Sequence, residues 1–347
     1  MTPPNSPPAT LTLADVLRAR KRIAPYVRRT PLVPSAWLSD LTRATVSLKL
    51  ESLQRSSSFK ARGAFNAVIA RMERHRPPKR LVTASAGNHG RALAAAASTF
   101  KLPLTVFTPT DAPHTKTAAI RRHGAELRAE GRDYDDAERR ALTFAADTGA
   151  EFISPYNDAD VIAGAATVAI EIAEEAPQTQ SIIVPIGGGG LISGVAAAAK
   201  SIDAGIEIVG VEVEASCAFQ TSVRAGRLVR IVPGPTLADG LGGNPDPDTI
   251  TFGFIQRLVN RIVTVGEDDL CAAIAALVQS DHLVAEGAGA VGVAAILRDS
   301  EGEERLDLAG RHVVVIVSGS NIDRARLAAV LSREPGRSVP DVQTATS

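Results

Sequence analysis

The chain has 347 residues, 45% of them hydrophobic and 22% charged. That is enough apolar material for one large core or two lobes, and too ordinary a composition for a disordered or fibrous protein. Lys plus Arg and Asp plus Glu both number 38, so no bulk field attracts nucleic acid or an anionic membrane, and nothing discourages self-association. No run approaches the ~18 apolar residues of a membrane span. The two cysteines, Cys217 and Cys271, lie far apart with no CxxC pattern; they indicate neither a disulfide framework nor a zinc ribbon and fit a reduced, cytoplasmic protein.

In chain order, the proline-rich first ten residues read as a disordered leader, not a signal peptide. A strand over 46–50 precedes a helix over 61–74. A strand over 81–83 and an alanine-rich helix over 91–100 follow, then a strand over 104–107 and a helix over 115–123. A strand over 181–186, a helix over 191–200 and a strand over 208–213 come next. Between 233 and 248 Gly, Pro and Asp accumulate without periodicity, which predicts a long functional loop. Helices over 268–279 and 289–297, a strand over 313–317 and a helix over 322–332 close the order. The tail, 334–347, reads as disordered. This alternation predicts an α/β fold with parallel sheets covered by helices. The apolar runs 182–185 and 313–317 suit strands buried on both faces. No internal repeat is present.

Four loops carry chemistry. Gly187, Gly188, Gly189 and Gly190 follow an apolar strand and open a helix. Glycines let backbone N–H groups converge on a phosphate, and the helix N-terminus adds positive potential. The spacing is neither GxGxxG nor GxxxxGK[ST], which disfavours dinucleotide and Walker-type sites. Lys60, in Ser58-Phe59-Lys60-Ala61-Arg62-Gly63-Ala64, sits at a helix start. The helix dipole repels a cation there, which favours a depressed pKa and suits a Schiff-base lysine. Taken alone, Lys60 reads first as a surface lysine behind a serine N-cap. Ser85-Ala86-Gly87-Asn88-His89-Gly90 lies between a strand and a helix, an anion site suited to a carboxylate, although His89 reads equally as a loop histidine. Ser318-Gly319-Ser320-Asn321 ends a buried strand, where parallel sheets bind ligands; by itself it reads as a helix N-cap. The other histidines (His75, His114, His123, His282 and His312) form no metal-ligand spacing and read as surface residues.

Taken together, these motifs and Leu48-Lys49-Leu50-Glu51-Ser52-Leu53-Gln54 before the lysine resemble the fold-type II pyridoxal-phosphate enzymes, specifically the serine/threonine dehydratase branch, from about Arg29 to Asn321. The resemblance implies a tryptophan synthase β-like fold of two lobes, each with a mostly parallel sheet flanked by helices. Residues 1–79 and 157–333 would form the large cofactor-binding domain, and 80–156 a small, mobile substrate-side domain. It implies pyridoxal 5′-phosphate held by Lys60, which would also act as the base at Cα. Gly187, Gly188, Gly189 and Gly190 would hold the phosphate, Asn88 the phenolic oxygen, and Phe59 would pack on the pyridine ring. Ser318 would face the ring nitrogen and Gly240 the cofactor edge. Glu286 would be the acidic residue beside the substrate. Ser85, Asn88 and His89 would receive the substrate carboxylate. A serine at the ring nitrogen cannot stabilise a protonated pyridine as a carboxylate would, which favours prompt elimination of a β leaving group. The implied reaction is dehydration and deamination of threonine or serine to a 2-oxo acid and ammonia, by a homodimer or homotetramer.

Departures narrow this expectation. Racemases of the branch carry a second serine as the opposite-face base; this chain has Ala86 there, which ranks racemisation below elimination. Some relatives bind a divalent cation through a Glu and an Asp. Here Glu212 matches, but Ala218 stands at the Asp; no metal site is expected, and Glu212 and Glu214 read as surface charges. Gly164-Ala165-Ala166-Thr167 replaces Gly-Gln-Gly-Thr, and Ser320 replaces a glycine; both changes point toward a substrate other than threonine. The length leaves no room for a C-terminal regulatory domain. The alternatives are serine racemase or hydroxyaspartate dehydratase activity, a β-replacement synthase, disfavoured by the Lys-Ala-Arg run, and a non-catalytic cofactor-binding paralogue, disfavoured by an intact Lys60.

Overall fold

The computed structural model describes residues 10–298 and 306–333; the proline-rich leader, apart from Thr10, and the 334–347 tail lie outside them. Among the described residues, ten strands form two sheets. Six strands, β1 (Leu32–Pro34), β2 (Thr45–Leu50), β7 (Ser181–Pro185), β8 (Glu207–Val213), β9 (Arg261–Val265) and β10 (His312–Val317), pair in the order β1-β2-β10-β7-β8-β9. All pairings but β1–β2 are parallel. The second sheet, β5 (Glu126–Gly131), β4 (Leu104–Pro109), β3 (Leu81–Ala84) and β6 (Glu151–Phe152), is parallel throughout.

Central strands are apolar because helices cover both their faces. In β10 every residue from Val313 to Val317 is buried, and each such side chain contributes ~1.5–3 kcal/mol relative to exposure. β7, Ser-Ile-Ile-Val-Pro, is buried along its whole length. The expectations for both strands hold. Elements absent from the sequence reading have physical reasons to be hidden. The edge strand β5 reads Glu-Leu-Arg-Ala-Glu-Gly and is largely solvated, so it lacks an apolar run. Helix Ala159–Glu175 is buried continuously from Val161 to Ile172, so no one-sided stripe of period 3.6 marks it.

Parallel registers align the loops that matter. Val317 of β10 pairs with Leu50 of β2, and Pro185 of β7 with Val211 of β8. The segments that follow β2, β10 and β7 therefore leave one edge of the large sheet. Ser85 likewise follows the last residue of β3.

Candidate active site

The segment after β2 turns through two short 3-10 stretches, with Ser56 and Ser57 at positive φ, into helix Lys60–Met72. The residue capping this helix is Phe59, with no side-chain cap bond, which removes the reading of Lys60 as a lysine behind a serine cap. Phe59 N donates to Ser318 O at 3.0 Å, which seams the helix start to the end of β10. The Lys60 Nζ donates to Pro155 O at 2.8 Å and lies 5.1 Å from the Phe59 ring centre. Burial depresses its pKa to about 8, opposed by the charge of Glu286. Burial, more than the helix dipole, is the leading cause of the depression.

What holds Lys60 in place lies two residues on. Arg62 is fully buried and bonds Glu51 (2.8 and 2.7 Å) and Glu171 (2.6 and 2.8 Å) through paired nitrogens. Lys49 joins at 2.8 Å from Glu171. Two cations and two anions balance, and the helix start is pinned to β2 and to helix Ala159–Glu175.

The loop after β3 opens helix Asn88–Thr99. Ser85 is buried and its Oγ accepts the Gly87 N–H at 3.2 Å. His89 Nε2 lies 3.3 Å from Ile153 O, so the proton sits on Nε2, since a carbonyl only accepts. Burial first, then the charge of Lys60, lowers its pKa to about 3; the ring is neutral. Its Nδ1 is buried and has no hydrogen-bond partner among the described residues. Asn88 Nδ2 donates to Glu286 Oε1 at 2.6 Å, and Asn88 Oδ1 accepts from Asn321 Nδ2 at 2.7 Å.

Gly187, Gly188 and Gly189 connect β7 to helix Gly190–Ile202, with Gly189 at φ +85°. Among the described residues, none accepts the backbone N–H of Gly187, Gly188 or Gly189. A Cβ on Gly187 would come within 2.9 Å of Gly240 O, and one on Gly188 would overlap the Tyr156 ring. Packing against Tyr156 is thus a second reason for the glycine run. Gly240 belongs to the 3-10 turn Asp239–Leu241 within the 233–248 loop. Glu286 caps helix Gly287–Leu297 with its backbone, is buried, and has its pKa raised to about 7 by burial, opposed by the Asn88 hydrogen bond. Ser318 Oγ, also buried, donates to Ala288 O at 3.1 Å.

One cavity of 810 Å³ unites these loops. Phe59, Lys60, Ser85, Asn88, His89, Gly187, Gly188, Gly189, Gly190, Gly240, Glu286 and Ser318 all line it. So do Arg91, Lys116, Tyr134 and Tyr156, which the sequence reading missed. Tyr156 stayed hidden because β6 is only two residues long. It follows β6, and residues beyond the carboxyl ends of parallel strands are where ligands bind.

A family model described as "Pyridoxal-phosphate dependent enzyme" matches residues 23–319. The chain belongs to the pyridoxal-phosphate-dependent enzyme family. It is 41% identical to an L-threonine ammonia-lyase of Thermotoga maritima over 90% of this chain and 76% of that one. It is 38% identical to an L-threo-3-hydroxyaspartate ammonia-lyase of Saccharomyces cerevisiae over 94% and 99% of the two chains. Its fold superposes on maize serine racemase with a TM-score of 0.86, at 31% identity, covering 92% of this chain and 96% of that one. As in the family, the fold is of type II and the cofactor is pyridoxal phosphate.

The residues present fit that cofactor. Lys60 offers an amine of lowered basicity, the form that adds to an aldehyde. Three unaccepted N–H groups at a helix N-terminus suit a phosphate. Two departures from family pattern read differently in three dimensions. Glu212 is not a surface charge. It is 2% exposed and accepts Phe219 N at 2.9 Å and Gln220 N at 2.7 Å, capping helix Ala218–Ala225; burial raises its pKa to about 7. Glu214 is exposed and pairs with Arg298 at 2.9 Å. Ala165 and Ala166 lie in the hydrophobic core behind the site, outside the cavity lining, so they bear on packing and not on substrate choice. Ser320 does line the cavity, its Oγ donating to Ser52 O at 3.0 Å.

Proposed function

We propose that the chain is a lyase that eliminates the β-hydroxyl of a small hydroxy-amino acid, threonine or serine, giving a 2-oxo acid and ammonia. The observation that carries this reading is the placement of Lys60, His89 and Ala86 in one cavity. An amine of lowered pKa stands at the site, and at the position where racemases of the branch place a second base there is only a methyl group. Bound pyridoxal phosphate supplies the electron sink that acidifies Cα–H. Lys60 anchors it and takes that proton from one face. Ser85 and the backbone N–H groups of Asn88 and His89, at the N-terminus of helix Asn88–Thr99, receive the substrate carboxylate, while the Asn88 side chain faces the phenolic oxygen of the cofactor. Gly187, Gly188, Gly189 and Gly190 cradle the phosphate, Phe59 covers the ring, and Gly240 closes its edge. Ser318 offers the ring nitrogen a hydroxyl without charge once its proton turns from Ala288 O to that nitrogen, which leaves the nitrogen unprotonated and favours departure of the β-hydroxyl over a long-lived carbanion. Glu286 lies beside the substrate side of the ring and fixes Asn88. The carboxylate loop stands on the four-stranded sheet and the phosphate loop on the six-stranded one. Residues 80–156 then act as a small domain that closes over a bound amino acid.

The holoenzyme is tested with L-threonine, L-serine, 3-hydroxyaspartate and O-acetylserine, measuring 2-oxo acid, ammonia and D-serine. Equimolar 2-oxo acid and ammonia from threonine or serine, without D-serine, is expected. D-serine as the main product identifies a racemase. A product only from O-acetylserine identifies a replacement enzyme.

A further inference from the structure

Asn88 sits in a chain of hydrogen bonds whose direction is fixed from its far end. Arg91, one turn along helix Asn88–Thr99, bonds Asn321 Oδ1 through Nη1. A guanidinium only donates, so Asn321 must turn its oxygen to Arg91. Its Nδ2 then faces Ser56 O at 2.9 Å and Asn88 Oδ1 at 2.7 Å. Asn88, having given its oxygen to Asn321, must turn its own Nδ2 outward, where it meets Glu286 Oε1 at 2.6 Å. In its carboxylate form Glu286 accepts that hydrogen, in keeping with the polarity that Arg91 sets. An amide nitrogen carries two hydrogens. Glu286 takes one, and Asn88 lines the cavity, so the other is available to a ligand oxygen. The chain also crosses between the sheets. Asn88 and Arg91 belong to the part built on β3 and β4, whereas Asn321 and Glu286 flank the end of β10, with Glu286 N donating to Gly319 O at 3.1 Å.

We propose that Arg91 and Asn321 are positioning residues that lock the Asn88 amide with its N–H groups, and not its oxygen, toward the anionic oxygen on the pyridoxal-phosphate ring. The proposal rests on Asn88 being a cofactor ligand, as read above. It adds that the polarity of that ligand is set from the opposite sheet. Were the chain reversed, Asn88 would present an acceptor to the anionic oxygen, and that contact would repel.

The test is a titration of the cofactor-free full-length protein with pyridoxal phosphate, reading Kd and the pH dependence of the visible absorbance. Asn321→Asp keeps the shape but can no longer donate to Asn88. It is expected to weaken binding about tenfold, the weight of one hydrogen bond to a ligand, and to move the midpoint of the absorbance change with pH. Arg91→Met, at a half-exposed position, is expected to weaken binding by a smaller factor. Arg91→Gln, which keeps a donor, is expected to recover most of it. Because the effect acts through Asn88, Asn321→Asp should cost less than about twofold in an Asn88→Ala background, the mark of coupled residues. Circular dichroism checks that each variant is folded. The proposal is overturned if folded Asn321→Asp binds and titrates like the wild type, or if its loss is undiminished in the Asn88→Ala background. If Asn88→Ala alone changes neither Kd nor absorbance, the reading of Asn88 as a ligand fails first and takes the proposal with it.

Discussion

Replacing Lys60 by methionine should stabilise the empty protein at neutral pH. The lysine amine has an ordinary pKa of 10.5, lowered to about 8 in the fold chiefly by burial. That displacement corresponds to about 3 kcal/mol of differential interaction between its two protonation states. The unfolded chain holds the proton more tightly than the folded one, so folding is penalised wherever the unfolded amine is charged. The penalty is full below about pH 8 and vanishes as pH rises past 10.5. Methionine has similar length and carries no charge. Against its gain stands the lost bond from Nζ to Pro155 O, worth about 1 kcal/mol, with the carbonyl left less satisfied. The net expectation is a gain of about 1–2 kcal/mol at pH 7, shrinking and then reversing in sign above pH 10. Urea unfolding of the cofactor-free proteins at pH 7 and pH 10 measures it; bound cofactor must be absent because it stabilises the wild type by mass action. A Lys60→Met variant that is less stable than the wild type at pH 7 would refute the claim that burial lowers the pKa of Lys60.

The buried network predicts the opposite for its neighbour. Arg62→Met leaves Glu51 and Glu171 buried with only Lys49 to offset them; it should cost about 3–5 kcal/mol, read as a lower urea midpoint, and a cost under about 1 kcal/mol contradicts it. Gly188→Ala pushes a methyl into the Tyr156 ring and should destabilise by about 1–3 kcal/mol while weakening pyridoxal-phosphate binding. Adding Tyr156→Ala should restore part of that binding, and no restoration would remove Tyr156 as the cause.

Much of this architecture was written in local patterns. The apolar runs of β7 and β10 announced themselves because helices cover both faces of those strands. The loops that gather in the cavity were legible because each is a short polar or glycine break after such a strand. What stayed hidden needed the third dimension. Tyr156 follows a strand of only two residues, too short to leave a periodic signal, and its ring fills the space left by Gly188. Arg91 looked like any polar residue on an alanine-rich helix until its partner, Asn321, arrived from 230 positions away. Ala165 and Ala166 seemed to touch the substrate, but helix Ala159–Glu175 turns them into the core.

The most direct test is the rate of 2-oxo acid formation from L-threonine and L-serine by the wild-type holoenzyme and by Lys60→Ala under identical loading with pyridoxal phosphate. The account predicts steady 2-oxo acid release by the wild type, and neither that release nor the visible absorbance of lysine-bound cofactor in the variant. Normal cofactor absorbance in the wild type with no 2-oxo acid from either amino acid would contradict it.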